Sequence, residues 1–82
     1  MGYHKRKIEK GVYGLSSKIR EELEELEDAE EQGIKIMVLC ELADLYGAVR
    51  AVAERRGFTE DDLKAMADVT AQAFRDGTRS SN

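Results

Sequence analysis

Between Ile36 and Val49 an apolar run is interrupted by only two charged residues, Glu41 and Asp44, and this pair constrains the fold more than any other feature of the chain. Residues three apart project from nearly the same side of a helix, so both carboxylates lie on one strip bordered by apolar positions. A buried carboxylate without a partner either takes up a proton or carries a penalty of several kcal/mol. The fold must therefore bring positive charge to this strip, and a metal ion is the obvious candidate.

A second acidic pair, Glu22 and Glu25, stands upstream in a stretch where eight acids fall between Glu21 and Glu31. Most residues in such a run face water. On a helical wheel, however, Glu22 falls between the directions of Leu26 and Ala29, at the border of the apolar stripe, with Glu25 one step further round. Glu21, Glu24 and Asp28 point away from that border. If the two helices pack antiparallel, Glu22, Glu25, Glu41 and Asp44 converge. Four oxygen donors without His or Cys suit a hard cation, Mg2+ or Mn2+, and Mg2+ often binds carboxylates together with substrate phosphates. The alternative is a helical oligomer whose acidic face pairs with basic groups of a neighbour.

The 82 residues allow one domain, and a chain this short buries only about 60 per cent of its unfolded surface, so self-association is expected. With 37% charged residues, no proline and no tryptophan, the composition suits an all-α fold. Residues 1–15 form a basic, glycine-containing arm with Lys5, Arg6, Lys7 and Lys10; 16–79 form the helical domain; 80–82 are a frayed tail. Helix 1 is predicted from about Lys18 to Gln32, capped by Ser16 or Ser17, with an inward stripe of Ile19, Leu23, Leu26 and Ala29 and with Gly33 closing it. Asp28, Glu30 and Glu31 oppose the dipole at its far end, so local stability does not explain them. Helix 2, about Ile36 to Arg56, is apolar over more than half its circumference and is predicted to be buried from several sides. Thr59 and Asp62 form a capping box for helix 3, whose inward face is Leu63, Met66, Thr70, Ala73 and Phe74, closed by Gly77.

Cys40, the single cysteine, cannot form an internal disulfide and is predicted to be a small buried packing group. With no second Cys and with His4 distant in sequence, a zinc site is not expected. The net charge of −4 disfavours nucleic-acid binding, and neither a signal peptide nor a membrane span is visible, which predicts a cytoplasmic protein.

The run Lys18-Ile19-Arg20-Glu21-Glu22-Leu23-Glu24-Glu25 followed, with fifteen residues between Glu25 and Glu41, by Glu41-Leu42-Ala43-Asp44 resembles the EExxE…ExxD signature of the MazG-like all-α nucleoside triphosphate pyrophosphohydrolases. The resemblance covers about residues 16–79. It implies a helical hairpin plus a third helix, assembled as a dimer or tetramer with four-helix-bundle cores, and a Mg2+-dependent cleavage of a nucleotide substrate to monophosphate and pyrophosphate. Metal ligands implied by the motif are Glu22, Glu25, Glu41 and Asp44, with Glu21 as a further acid or accessory base. Lys18 matches the lysine that opens the motif and is a candidate phosphate ligand, or a simple partner of Glu22. Arg75 and Arg79 match basic groups that approach phosphates in the family's third element, whereas Ala73 stands where a lysine is expected. Only the short arm precedes the motif, as in short phage-encoded relatives, so base selectivity does not transfer. The arm's Tyr3 and Tyr13 and its basic cluster could cover a nucleotide. The competing readings are a non-catalytic helical oligomeric interaction module and a degenerate relative that binds nucleotide without cleaving it.

Overall fold

The computed structural model describes residues 4–77, and Tyr3, Arg79 and the 80–82 tail lie outside them. The described chain is all-α, with α1 at Ser16–Gln32, α2 at Lys35–Arg55 and α3 at Glu60–Arg75. An irregular segment over residues 4–15 precedes α1.

α1 and α2 form a hairpin because their connection is only Gly33 and Ile34. Gly33 adopts φ 72°, where an L side chain would be strained, and its N–H donates to the carbonyls of Ala29 and Glu30 at 3.1 Å. The first helix starts two residues earlier than the wheel suggests, and no serine caps it. Leu15 occupies the N-cap in an extended conformation with no side-chain bond to the helix. The Ser17 hydroxyl is used instead to accept the Val12 N–H at 3.0 Å, tying the preceding segment to the helix.

α3 follows the capping box as predicted: Thr59 accepts from the Asp62 N–H at 3.1 Å and Asp62 accepts from the Thr59 N–H at 2.9 Å. It packs against α2 and does not touch α1. The Arg50 guanidinium stands 5.7 Å from the centre of the Tyr46 ring and 3.6 Å from Glu60, and the Tyr46 hydroxyl bonds Glu60. These contacts fix the first turn of α3 beside the middle of α2.

The interior differs from the predicted one. Leu26, Ala29, Met37, Ala48 and Ala51 are buried, but so are Glu21, Glu22, Glu25, Asp28 and Glu41, so the hairpin encloses as many acids as apolar residues. Leu23, assigned to the inward stripe of α1, is exposed. α2 is covered on one side only: Ile36 and Leu39 are more than 60% exposed and Leu42 and Tyr46 more than 40%. Cys40 is likewise exposed rather than packed. α3 has no buried residue, and Met66 and Phe74 of its expected inward face stand open. The reason is geometric. One hairpin partner and one loosely attached helix cannot enclose an α2 that is apolar over most of its circumference. No helix among the described residues is long and apolar enough to cross a membrane.

Candidate metal centre

The short hairpin loop sets α1 and α2 in register so that Glu22 and Glu25, one turn apart on α1, meet Glu41 and Asp44, one turn apart on α2. One carboxylate oxygen from each of the four lies within 4.8 Å of the others. Glu41 is fully buried, Glu22 and Glu25 are buried, and Asp44 is exposed at the mouth. The convergence of these four carboxylates expected from an antiparallel pair of helices is therefore present.

The electrostatics of the cluster reflect crowding. Burial, followed by the charges and hydrogen bonding of Glu22 and Glu41, pushes the Glu25 carboxyl up from 4.5 to about 7. Asp44 is also raised, first by burial and then by Glu22 and Glu41. Glu22 Oε1 is buried with no hydrogen-bond partner among the described residues. Its other oxygen meets Lys18 Nζ at 3.2 Å, and the same ammonium stands 3.1 Å from Glu21 Oε1. Burial alone would lower the Lys18 pKa, but Glu21 and Glu22 outweigh it and hold the group above the ordinary lysine value.

A pocket of about 450 Å³ opens beside the cluster, lined by Tyr13, Lys18, Glu22, Asp44 and Arg50 among others. Lys18 is where the motif puts it. Arg50 was not among the sequence candidates, since a lone arginine near the end of an apolar helix reads as ordinary solvation. Arg75 is on the far part of α3, with its guanidinium donating to Gln72 Oε1 at 2.8 Å. Fifteen residues of helix, about 22 Å, separate it from Glu60, the residue that contacts Arg50. Within one chain Arg75 therefore stands away from the pocket, and Arg79 is outside the described residues.

Glu21 and Asp28 do not point into water as the wheel implied. The 4–15 segment lies over them. Glu21 accepts the Gly11 N–H at 2.8 Å, and Asp28 accepts the Lys5 N–H at 3.1 Å and the Gln32 amide at 3.1 Å. Burial would raise the Glu21 pKa, yet the Gly11 N–H, then Lys18 and Lys10, hold it below the ordinary value. Asp28 is held low chiefly by its hydrogen bond to His4 and then by the Lys5 N–H. His4 is the residue that sequence distance hid. Its Nδ1 is 2.8 Å from Asp28 Oδ2, and its Nε2 is 3.2 Å from Glu41 Oε2 and 3.7 Å from Glu25 Oε1.

The chain matches no known family model, no curated protein and no solved structure.

Proposed function

We propose that this chain is a Mg2+-dependent nucleotide pyrophosphohydrolase that cleaves a nucleoside triphosphate to monophosphate and pyrophosphate, as its motif resemblance implies. The observation that carries the reading is the convergence of Glu22, Glu25, Glu41 and Asp44 from two helices on one point, with three of them buried. Four carboxylates are a hard, oxygen-only donor set of the kind that suits Mg2+ or Mn2+. The raised Glu25 and Asp44 and the partnerless Glu22 oxygen also fit a centre designed around a cation. A magnesium ion held there would supply Lewis-acid polarisation of the α-phosphate and lower the pKa of a coordinated water.

The remaining work falls to the chain itself. Lys18 and Arg50, on the two helices that wall the pocket, screen the β- and γ-phosphates as charge builds on the departing pyrophosphate. In hydrolysis the oxygen of a water bonds to the α-phosphorus while the bond from that phosphorus to the bridging oxygen breaks; the electron pair leaves with pyrophosphate, and the proton shed by the water passes to solvent. Tyr13, on the pocket rim, offers a ring for the base to stack on. Glu21 serves here as the anchor of Lys18 and of Gly11. A base role for it would require those donors to leave.

The open apolar face of α2 supports assembly as a dimer or tetramer, with bundle cores formed between copies. In such an assembly Arg75 reaches phosphates only from a neighbouring subunit.

The test is hydrolysis of a panel of ribo- and deoxynucleoside triphosphates with Mg2+ or Mn2+, with pyrophosphate and orthophosphate separated. Monophosphate and pyrophosphate are expected, and Glu41→Gln is expected to abolish turnover while helical circular dichroism stays unchanged. No turnover together with no Mg2+ binding by calorimetry would sink the proposal in favour of a non-catalytic oligomeric interaction module. Binding of both metal and nucleotide without turnover would leave the degenerate relative.

A further inference from the structure

His4 is the only histidine of the chain, and the amino-terminal segment carries it across α1 to the acidic interior of the hairpin. Its side chain is 7% exposed. We propose that His4, Glu25 and Glu41 form a mixed nitrogen and oxygen site for a first-row transition cation, with Asp28 orienting the imidazole. This site shares two carboxylates with the proposed magnesium centre, but it does not depend on phosphohydrolysis.

The spacing fits. A tetrahedral transition ion bound at about 2.0–2.2 Å by imidazole nitrogen and carboxylate oxygen sets its donor atoms about 3.3–3.5 Å apart. His4 Nε2 lies 3.2 Å from Glu41 Oε2 and 3.7 Å from Glu25 Oε1, and all three donor atoms fall within 4.8 Å of one another.

The surroundings are those of a ligating histidine. A metal-bound imidazole donates its other N–H to a carboxylate, which fixes the tautomer and turns the free nitrogen toward the ion. Asp28 is placed to accept that N–H, its Oδ2 lying 2.8 Å from His4 Nδ1 on the far side of the ring. It is held in turn by the Lys5 N–H and the Gln32 amide, so the imidazole is oriented by a carboxylate that is itself oriented.

The segment is pinned again downstream of this contact. Arg6 reaches Glu31 at 3.0 Å, and Gly11 donates to Glu21 at a place where a Cβ would lie only 2.2 Å from the Ser17 carbonyl oxygen. A sign of a cation also comes from the adjoining group of acids, which shares Glu25 and Glu41 with this site. There Glu22, with a side chain 7% exposed, keeps a buried oxygen without a hydrogen-bond partner among the described residues. Replacing one oxygen donor by imidazole moves the preference from Mg2+ toward Co2+, Zn2+ and their neighbours.

The test uses the full chain, free of any histidine tag. CoCl2 is titrated while visible absorption and the imidazole proton resonances are followed, with MgCl2 titrated by calorimetry in parallel. Saturating Co2+ is expected to move the resonances of the single histidine far outside their diamagnetic range. His4→Ala is expected to weaken Co2+ by at least about tenfold, and Asp28→Asn by a smaller factor, while Mg2+ affinity in His4→Ala changes by a clearly smaller factor than Co2+ affinity. Unshifted histidine resonances at saturating Co2+ would overturn the proposal, and this readout needs no variant that has to fold. Equal Co2+ affinity in His4→Ala would overturn it too, reducing His4 to an ion-pair partner of the acids. A parallel loss of Mg2+ in that variant would also count against it, because His4 would then be shaping the carboxylates rather than ligating. A histidine-dependent Co2+ site without triphosphate hydrolysis would refute the functional reading alone, whereas hydrolysis with a histidine-independent Co2+ affinity would refute this proposal alone.

Discussion

Glu25 should make the metal-free protein less stable as the solution becomes more alkaline, the reverse of what most native carboxylates do. Its pKa is displaced upward on folding, from 4.5 to about 7, first by burial and then by Glu22 and Glu41. A carboxyl whose folded pKa exceeds its unfolded value holds its proton more tightly in the native state. Its contribution is complete below the unfolded pKa and is lost as pH rises through the folded one. The displacement corresponds to at most about 3 kcal/mol at 1.36 kcal/mol per pKa unit, of which about 2 kcal/mol falls between pH 5.5 and 8. Asp44, raised for similar reasons, acts in the same direction. Glu21 and Asp28 have lowered pKa values, so the stability they supply is lost only in more acid solution, as pH falls through those values, and the two windows are separate.

The assay is urea unfolding in EDTA at fixed protein concentration, at pH 5.5 and at pH 8, for the parent and Glu25→Gln. The parent is expected to lose about 2 kcal/mol more than the variant across that interval. Added Mg2+ at about a hundred times its dissociation constant contributes about 2.7 kcal/mol to a state that binds it, and so should offset the whole of the alkaline loss from Glu25. Parent and Glu25→Gln curves that change equally with pH would refute the reasoning, as would a parent that becomes more stable from pH 5.5 to 8 without metal. Either outcome would mean that Glu25 is ionised throughout and that the hairpin already neutralises its acids from within.

Two further outcomes bear on the pocket and on assembly. Arg50→Met should raise KM for a triphosphate by about tenfold, the loss of one charge-assisted phosphate contact, with a stability change below about 1 kcal/mol because its ion pair with Glu60 is solvent-accessible; a larger KM effect from Arg75→Met would instead show that a neighbouring subunit's α3 controls phosphate binding. Leu39→Glu, placed on the exposed face of α2, should turn an oligomer into monomers in sedimentation velocity, and a parent chain that is already monomeric at micromolar concentration would remove the oligomer from the proposed function.

Much of the fold was legible because it rests on local signals. The α2 boundaries fall within a residue of those inferred from apolar content, and Gly33 and the Thr59–Asp62 box act as a cap and a start signal. The misjudged features share one physical cause: periodicity reports which face of a helix is apolar, not what covers it. Leu23, Leu39, Cys40, Met66 and Phe74 all belong to apolar faces, and among the described residues there is no element to lie over them. The serine cap failed for a different reason. Ser17 had two uses for its hydroxyl, and the Val12 N–H took it.

The site divides along the same line. Glu22, Glu25, Glu41 and Asp44 could be found because each pair sits on one helix at a spacing that geometry enforces, and a two-residue connection leaves the pairs little choice but to face each other. His4 lies 24 residues from Asp28 and 37 from Glu41, in a segment whose irregular backbone imposes no repeat on the sequence. No spacing rule reaches it. A usable signal was nevertheless present in the charges. Acids at the end of α1 oppose its dipole, and a chain keeps such groups readily only where something else binds them. That something is the preceding segment: Arg6 takes Glu27 and Glu31, and the Lys5 N–H and His4 take Asp28. The acids unexplained by helix 1 alone thus mark where the amino-terminal segment must lie. The segment that lies there brings to the buried carboxylates the imidazole that the all-oxygen reading left out.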